Sequence, residues 1–198
     1  MIRFLTMKNA RSQRGAMFGL DARIALAIFA GLSVIAGMAV FGTIRQTDVA
    51  ALVSEFDNIS KGYINYAFDT GIDIPVGATA GLGFAGLYEP TAVGPPAAPL
   101  GWNGPYITRS TDNHPKFGTY DIVRGDIDSA AVVPDATGTI PGAWLELTGI
   151  PCELAKDLDS EVDGDAVATP TTGNIRHIDP CADGAITDIY FLLSRTMQ

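Results

Sequence analysis

Asp21 and Arg23 stand two residues apart at the mouth of a run, Ile24 to Ile44, that holds no charged side chain. An Asp at the centre of a membrane helix costs ~2.5–3.5 kcal/mol on insertion scales. Near a helix start the cost is lower, and the helix dipole favours an acid. Residue chemistry alone therefore makes Asp21 a helix-start acid, with Arg23 either its partner or a cation held at the membrane surface. A second reactive pair is Cys152 and Cys181, the two cysteines of the chain. Behind a membrane-targeting N-terminus, an even pair suggests a disulfide formed in an oxidising compartment. A bridge within one chain and a bridge between two chains are both open at this point.

Other groups carry less chemistry. No C-x-x-C is present, and His114 and His177 are far apart in sequence, which argues against zinc. His114 precedes Pro115 and His177 falls in an expected strand, so both read as surface or sheet polar residues. Asp157, Asp159, Glu161, Asp163 and Asp165 form an acidic run. Its spacing lacks the glycine and final glutamate of an EF-hand loop and reads as an exposed acidic helix. Gly81 to Gly86 formally spells G-x-G-x-x-G, but it follows no apolar strand and opens no clear helix. No G-x-S-x-G, phosphate-binding glycine loop or H-E-x-x-H occurs. The expectation is a protein with no catalytic residue, metal or cofactor, and not an enzyme.

The elements that position these residues follow from composition. The chain has 198 residues, a formal net charge of −9 and a mean hydropathy of +0.20, high for a soluble protein. Arg3, Lys8, Arg11 and Arg14 lie in the first 16 residues, which hold no acid, so the remainder carries −13. So acidic a body argues against nucleic acid, whose phosphates need a basic face. A helix of ~20 apolar residues crosses a ~30 Å hydrocarbon core, and residues 24–44 are long enough. A secretory signal would be shorter and end at a small-residue cut. Here the run continues into an amphipathic stretch, with Val49, Leu52, Val53, Phe56, Ile59, Tyr63 and Tyr66 at three- and four-residue spacings. No proline comes before Pro75. One helix is expected from about Phe18 to Phe68, apolar all round in its first half and one-faced in its second. Basic residues ahead of the run place the N-terminus in the cytoplasm and the body outside.

Residues 70–116 are punctuated by Gly and Pro, so regular structure there should be short. In "GWNGPYI", residues 101–107, Trp102 and Tyr106 read as aromatic anchors around a Gly104–Pro105 turn. Strands are expected in "KFGTYDIVRG", around Trp144 to Ile150, and at 185–194, with a weaker one at 173–179. Between them, "PCELAKDLDSEVDGD" reads as a helix. Pro151 suits its first turn, Leu154, Leu158 and Val162 form its apolar stripe, and Gly164 is its stop. The fold class is α+β: a long N-terminal helix, membrane-spanning in its first half, packed on a small antiparallel sheet that covers its second half.

In this order of elements the chain resembles the type IV pilin and type II secretion pseudopilin superfamily. That family has a short basic leader, a cut by a membrane peptidase, an acid four residues past the cut, a long apolar helix and a small sheet domain. The resemblance implies a leader over residues 1–16, a long helix over 17–69 and a pilin-like domain over 70–198, with 70–116 as the irregular connection. Cleavage between Ala16 and Met17 puts Asp21 four residues past the cut. Cleavage after Gly15 restores the family's glycine and moves Asp21 one residue farther; both cuts stay open. The family commonly uses Glu where this chain has Asp21, and Arg23 is unusual inside the segment. In the family the first residue is commonly N-methylated, and the acid neutralises the amine of a neighbouring subunit. This implies an assembly role for Asp21 toward Met17 of the next copy.

"GWNGPYI" is similar to a W-x-G-P-Y-[IL] turn of the pseudopilin branch, and Cys152 with Cys181 resembles the disulfide-bounded C-terminal region of many pilins. Calcium binding, known in some pseudopilins, is left open. The implied function is a structural subunit of a pilus or pseudopilus, major or minor. It would sit in the bacterial inner membrane and then in an extracytoplasmic filament. Implied partners are other pilin subunits, a prepilin peptidase, inner-membrane assembly machinery and membrane lipid, with no nucleic acid. The rival expectation is a signal-anchored extracytoplasmic binding protein that does not polymerise.

Overall fold

The computed structural model describes residues 14–75, 82–93, 99–129, 131, 133–164, 172–178 and 181–195. The expected leader falls outside them as far as residue 13, as do Asp165 and Gly81. The chain divides into two units, Met1–Ile44 and Arg45–Gln198.

Helix α1 runs from Arg14 to Thr70. It starts slightly earlier than expected, so the Ala16–Met17 bond lies in its first turn. In the first unit, residues 19–44 are exposed except for half-buried Gly37.

In the second unit the lower half of α1 is the spine of the core. Val49, Leu52, Phe56, Ile59, Tyr63 and Tyr66 are all buried, and Val53 packs against them. These residues follow the 3.6 period, so they form one stripe. The helix stops where Gly71 takes φ 69°, a left-handed conformation favourable for glycine. The Gly71 N–H then donates to Ala67 O at 2.9 Å, and Thr70 Oγ1 donates to Tyr66 O at 2.7 Å.

Four antiparallel strands lie in the order β1-β2-β4-β3. They are β1 Tyr120–Asp126, β2 Pro141–Pro151, β3 Ile175–His177 and β4 Ile186–Arg195. Register puts Tyr120 and Ile122 opposite Leu147 and Leu145, which oppose Ile189 and Phe191. This face meets the spine: the Phe56 and Phe191 rings are 5.2 Å apart, and Ser60 Oγ donates to Leu193 O at 3.0 Å. The other face carries Val123, Trp144 and Leu192 in one row. Trp144 Nε1 on that face donates to Gly125 O, near the end of β1, at 2.9 Å.

Among its described residues the irregular connection holds two short pieces, α2 Leu82–Ala85 and a 3-10 turn Pro90–Val93. Gly83 packs against β1, where an added Cβ would lie 3.1 Å from Ile122 O, so this stretch is a packing contact. Trp102 and Tyr106 are the anchors expected of them. Trp102 Nε1 donates to Gly86 O at 3.1 Å, and Tyr106 OH donates to Asp69 Oδ2 at 3.1 Å.

Helix α3, Cys152–Asp163, has Leu154 and Leu158 buried. Pro151 sits just outside it, as N-cap and last residue of β2, and Gly164 stops it at φ 76°. One expectation is corrected here: the acidic helix is not exposed throughout. Asp159 is buried, with Oδ2 3.7 Å from Nε2 of buried His177. Asp163 accepts hydrogen bonds from Asn174 N, Asn174 Nδ2 and Ile175 N. His177 lies in strand β3 as expected, as a buried polar residue of the sheet.

Candidate functional site

The residues singled out by sequence fall into two places. Cys152 and Cys181 are joined by a disulfide with Cα atoms 5.4 Å apart, which settles the bridge as one within the chain. It links the start of α3 to the segment before β4, and Lys156 Nζ donates to Cys181 O at 2.7 Å beside it. Glu153 Oε1 accepts from Gly184 N at 2.7 Å, so both ends of the bridged turn are tied to α3.

The other place is the upper half of α1. Ala16 and Met17 lie on its helical backbone. Asp21 and Arg23 are both exposed, and they make no ion pair with each other. The spacing explains this, since residues i and i+2 of a helix do not face each other. The structure therefore removes the reading in which Arg23 neutralises Asp21 within one chain. Beyond Arg23 the helix presents large apolar side chains to its surroundings, with Phe29 70%, Met38 72% and Phe41 75% exposed. Its most apolar stretch is long and apolar enough to cross a membrane, and none of that stretch is buried. Gly19, Gly31, Gly37 and Gly42 meet no atom within 4 Å where a Cβ would stand. Glycine inside a helix costs ~1 kcal/mol against alanine, and no contact among the described residues requires these four.

In the second unit, charged pairs tie loops, a strand and helix α3 to α1 or to the segment that follows it. Arg109 pairs with Glu55 and Lys116 with Asp48, while Arg124 meets Asp73 at 2.9 Å and Arg45 meets Asp157 at 2.9 Å. His114 Nδ1 accepts from Lys116 N and Phe117 N, each at 3.0 Å, and its ring stacks on Phe117. Burial lowers its pKa, and the Glu55 carboxylate works against that shift. His114 thus locks a turn and offers no free base. Between the outer side of α1 and residues 106–109 runs an open groove of about 840 Å3, which includes Asn58, Lys61, Asn65 and the Glu55–Arg109 pair.

Sequence reasoning passed over Arg176, which is buried and donates to the carbonyls of Ile127, Ser129 and Ala131. It also passed over Asp128 and Asp135, which shape the β1–β2 connection. Asp128 accepts from Thr139 N, Thr139 Oγ1 and Ile140 N. Asp135 accepts from Ser129 Oγ, Thr137 N and Thr137 Oγ1. An Asp-rich loop was the only signal available for them. No family model, curated protein or solved structure matches the chain.

Proposed function

We propose that this chain is a structural subunit of a type IV pilus or secretion pseudopilus, polymerising through the upper half of α1. The observation that carries the reading is that half itself. It is apolar on every side, exposed, studded with glycines that no contact among the described residues uses, and headed by Asp21. Small residues let membrane helices approach closely, and their natural use is against other helices. The same helix then becomes the spine of a disulfide-closed α+β body. Before assembly the subunit would sit in the bacterial inner membrane with its N-terminus cytoplasmic. It would be cut by a prepilin peptidase and passed by the assembly machinery into an extracytoplasmic filament of like subunits. Asp21 would meet a cation of a neighbouring copy as it leaves lipid, the Met17 amine in the family's manner.

A second reading is an anchored extracytoplasmic binding protein, and the groove beside Asn58, Lys61 and Asn65 favours it. Processing separates the two. Co-expression with a prepilin peptidase, followed by N-terminal mass spectrometry, should give a chain that starts at Met17 and is N-methylated. A chain that keeps its leader under those conditions would favour the anchored binding protein.

A further inference from the structure

We propose that Asp21 of one copy pairs with Arg23 of the next, so that the two charges bridge parallel helices head to tail. The inference rests on the filament reading and gives it a specific interface. Two steps along an α-helix separate the side chains by about 200° in direction and about 3 Å in height. Asp21 and Arg23 therefore lie on opposite sides of α1, at nearly one level. Neither has a partner among the described residues. The next charge along the helix, Arg45, is taken by Asp157.

Each of the two is thus a single charge on its own face of an apolar segment. When such helices gather, an unpaired charge in apolar surroundings is costly, and the nearest complement at that depth is on another copy. An arginine side chain easily spans the small difference in height. Opposite faces also decide the symmetry. In a two-fold parallel dimer a residue faces its own copy, so Asp21 and Arg23 cannot both be satisfied. Each copy must give its Asp21 face to one neighbour and its Arg23 face to another. That contact is heterologous, and it propagates as a ring or an open filament. A carboxylate has two oxygens, so pairing with Arg23 leaves one for the amine of a processed Met17.

The test uses the full-length chain, expressed with a peptidase and assembly system. Asp21→Arg and Arg23→Asp should each lower filament yield about tenfold or more, as loss of a desolvated charge pair does. The double variant Asp21→Arg with Arg23→Asp restores this pair alone, so it should yield clearly more filaments than Asp21→Arg while staying below wild type, because the Met17 amine then lacks its carboxylate. In isolated membranes, the double variant Asp21→Cys with Arg23→Cys should oxidise to a ladder of trimers and larger. Either single cysteine variant should stop at dimers. Cys152 and Cys181 are already bridged and leave the readout clean.

Wild-type yield from Arg23→Asp, a charge-swapped double no better than Asp21→Arg, or a doubly substituted cysteine variant that stops at dimers would overturn the pair. Wild-type filaments alongside any of those results would leave the filament reading standing without it. A ladder from a chain that is neither processed nor assembled would keep the pair and sink the filament reading.

Discussion

The guanidinium of Arg176 lies 4.5 Å from the centre of the Trp144 ring, and both side chains are buried. A desolvated cation over an indole contributes ~2 kcal/mol or more. The same guanidinium holds the β1–β2 connection by three carbonyls. Arg176→Met keeps the length and removes both roles, leaving buried acceptors unpaired. It should cost about 2–4 kcal/mol, read as a lowered denaturation midpoint. Hydrogen exchange should show the loss centred on residues 127–140, with α3 protected as before.

The bridge between Cys152 and Cys181 spans a sequence separation of 29. In the chain-entropy model, closing such a loop stabilises by about 3–4 kcal/mol. Reduction, or Cys152→Ala with Cys181→Ala, should lower the melting point accordingly. Non-reducing peptide mapping of protein matured in an oxidising compartment should recover the crosslinked peptides. Two free thiols there would contradict the structure.

Two carboxylates should respond to pH in opposite directions. Asp128 is held at a pKa of about 2 by the Thr139 hydroxyl and the N–H groups of Ile140 and Thr139. Its folded value lies below the unfolded one, so its contribution is present at neutral pH and is lost as pH falls from the ordinary aspartate range toward about 2. Asp128→Asn should destabilise at neutral pH and matter less the more acidic the solution. Glu146 is raised by burial and by the nearby Asp188 and Asp121, against the hydrogen bond donated by Tyr190. Its folded value lies above the unfolded one, so the charged form costs stability once pH rises through it. Glu146→Gln should raise the melting point at neutral pH and give no gain below the ordinary glutamate range. Melts of both variants across pH test the two signs together.

Asp21→Ala removes the acid and leaves a good helix former. Membrane levels and the disulfide should match wild type, while filaments should be few or absent by electron microscopy. Asp21→Glu keeps the charge and changes only its reach, so it should assemble at least in part. Wild-type filaments from Asp21→Ala would return Asp21 to the status of a helix-start acid.

Local periodicity was readable and distant partners were not. The buried stripe from Val49 to Tyr66 could be read because its spacing depends only on the helix it belongs to. Tyr120 and Ile122 alternate in the same self-contained way. Asp159 was misread because its burial depends on His177, which arrives on a strand made later in the chain. Arg176 sits in a three-residue strand, too short to show alternation, and its acceptors lie in a loop more than forty residues earlier. The relation of Asp21 to Arg23 was open in the sequence, yet their two-residue spacing already forbade a pair within one helix.

Ser60 reaches across 133 positions of the chain to Leu193. At synthesis rates of ~5–20 residues per second, roughly 7–27 seconds separate the emergence of these two residues. The long apolar helix is made first, and its stripe from Val49 to Tyr66 stands without its sheet for all of that time. Contacts this distant also close slowly once both partners exist. The newborn chain thus carries an uncovered apolar stripe until its last strand is made.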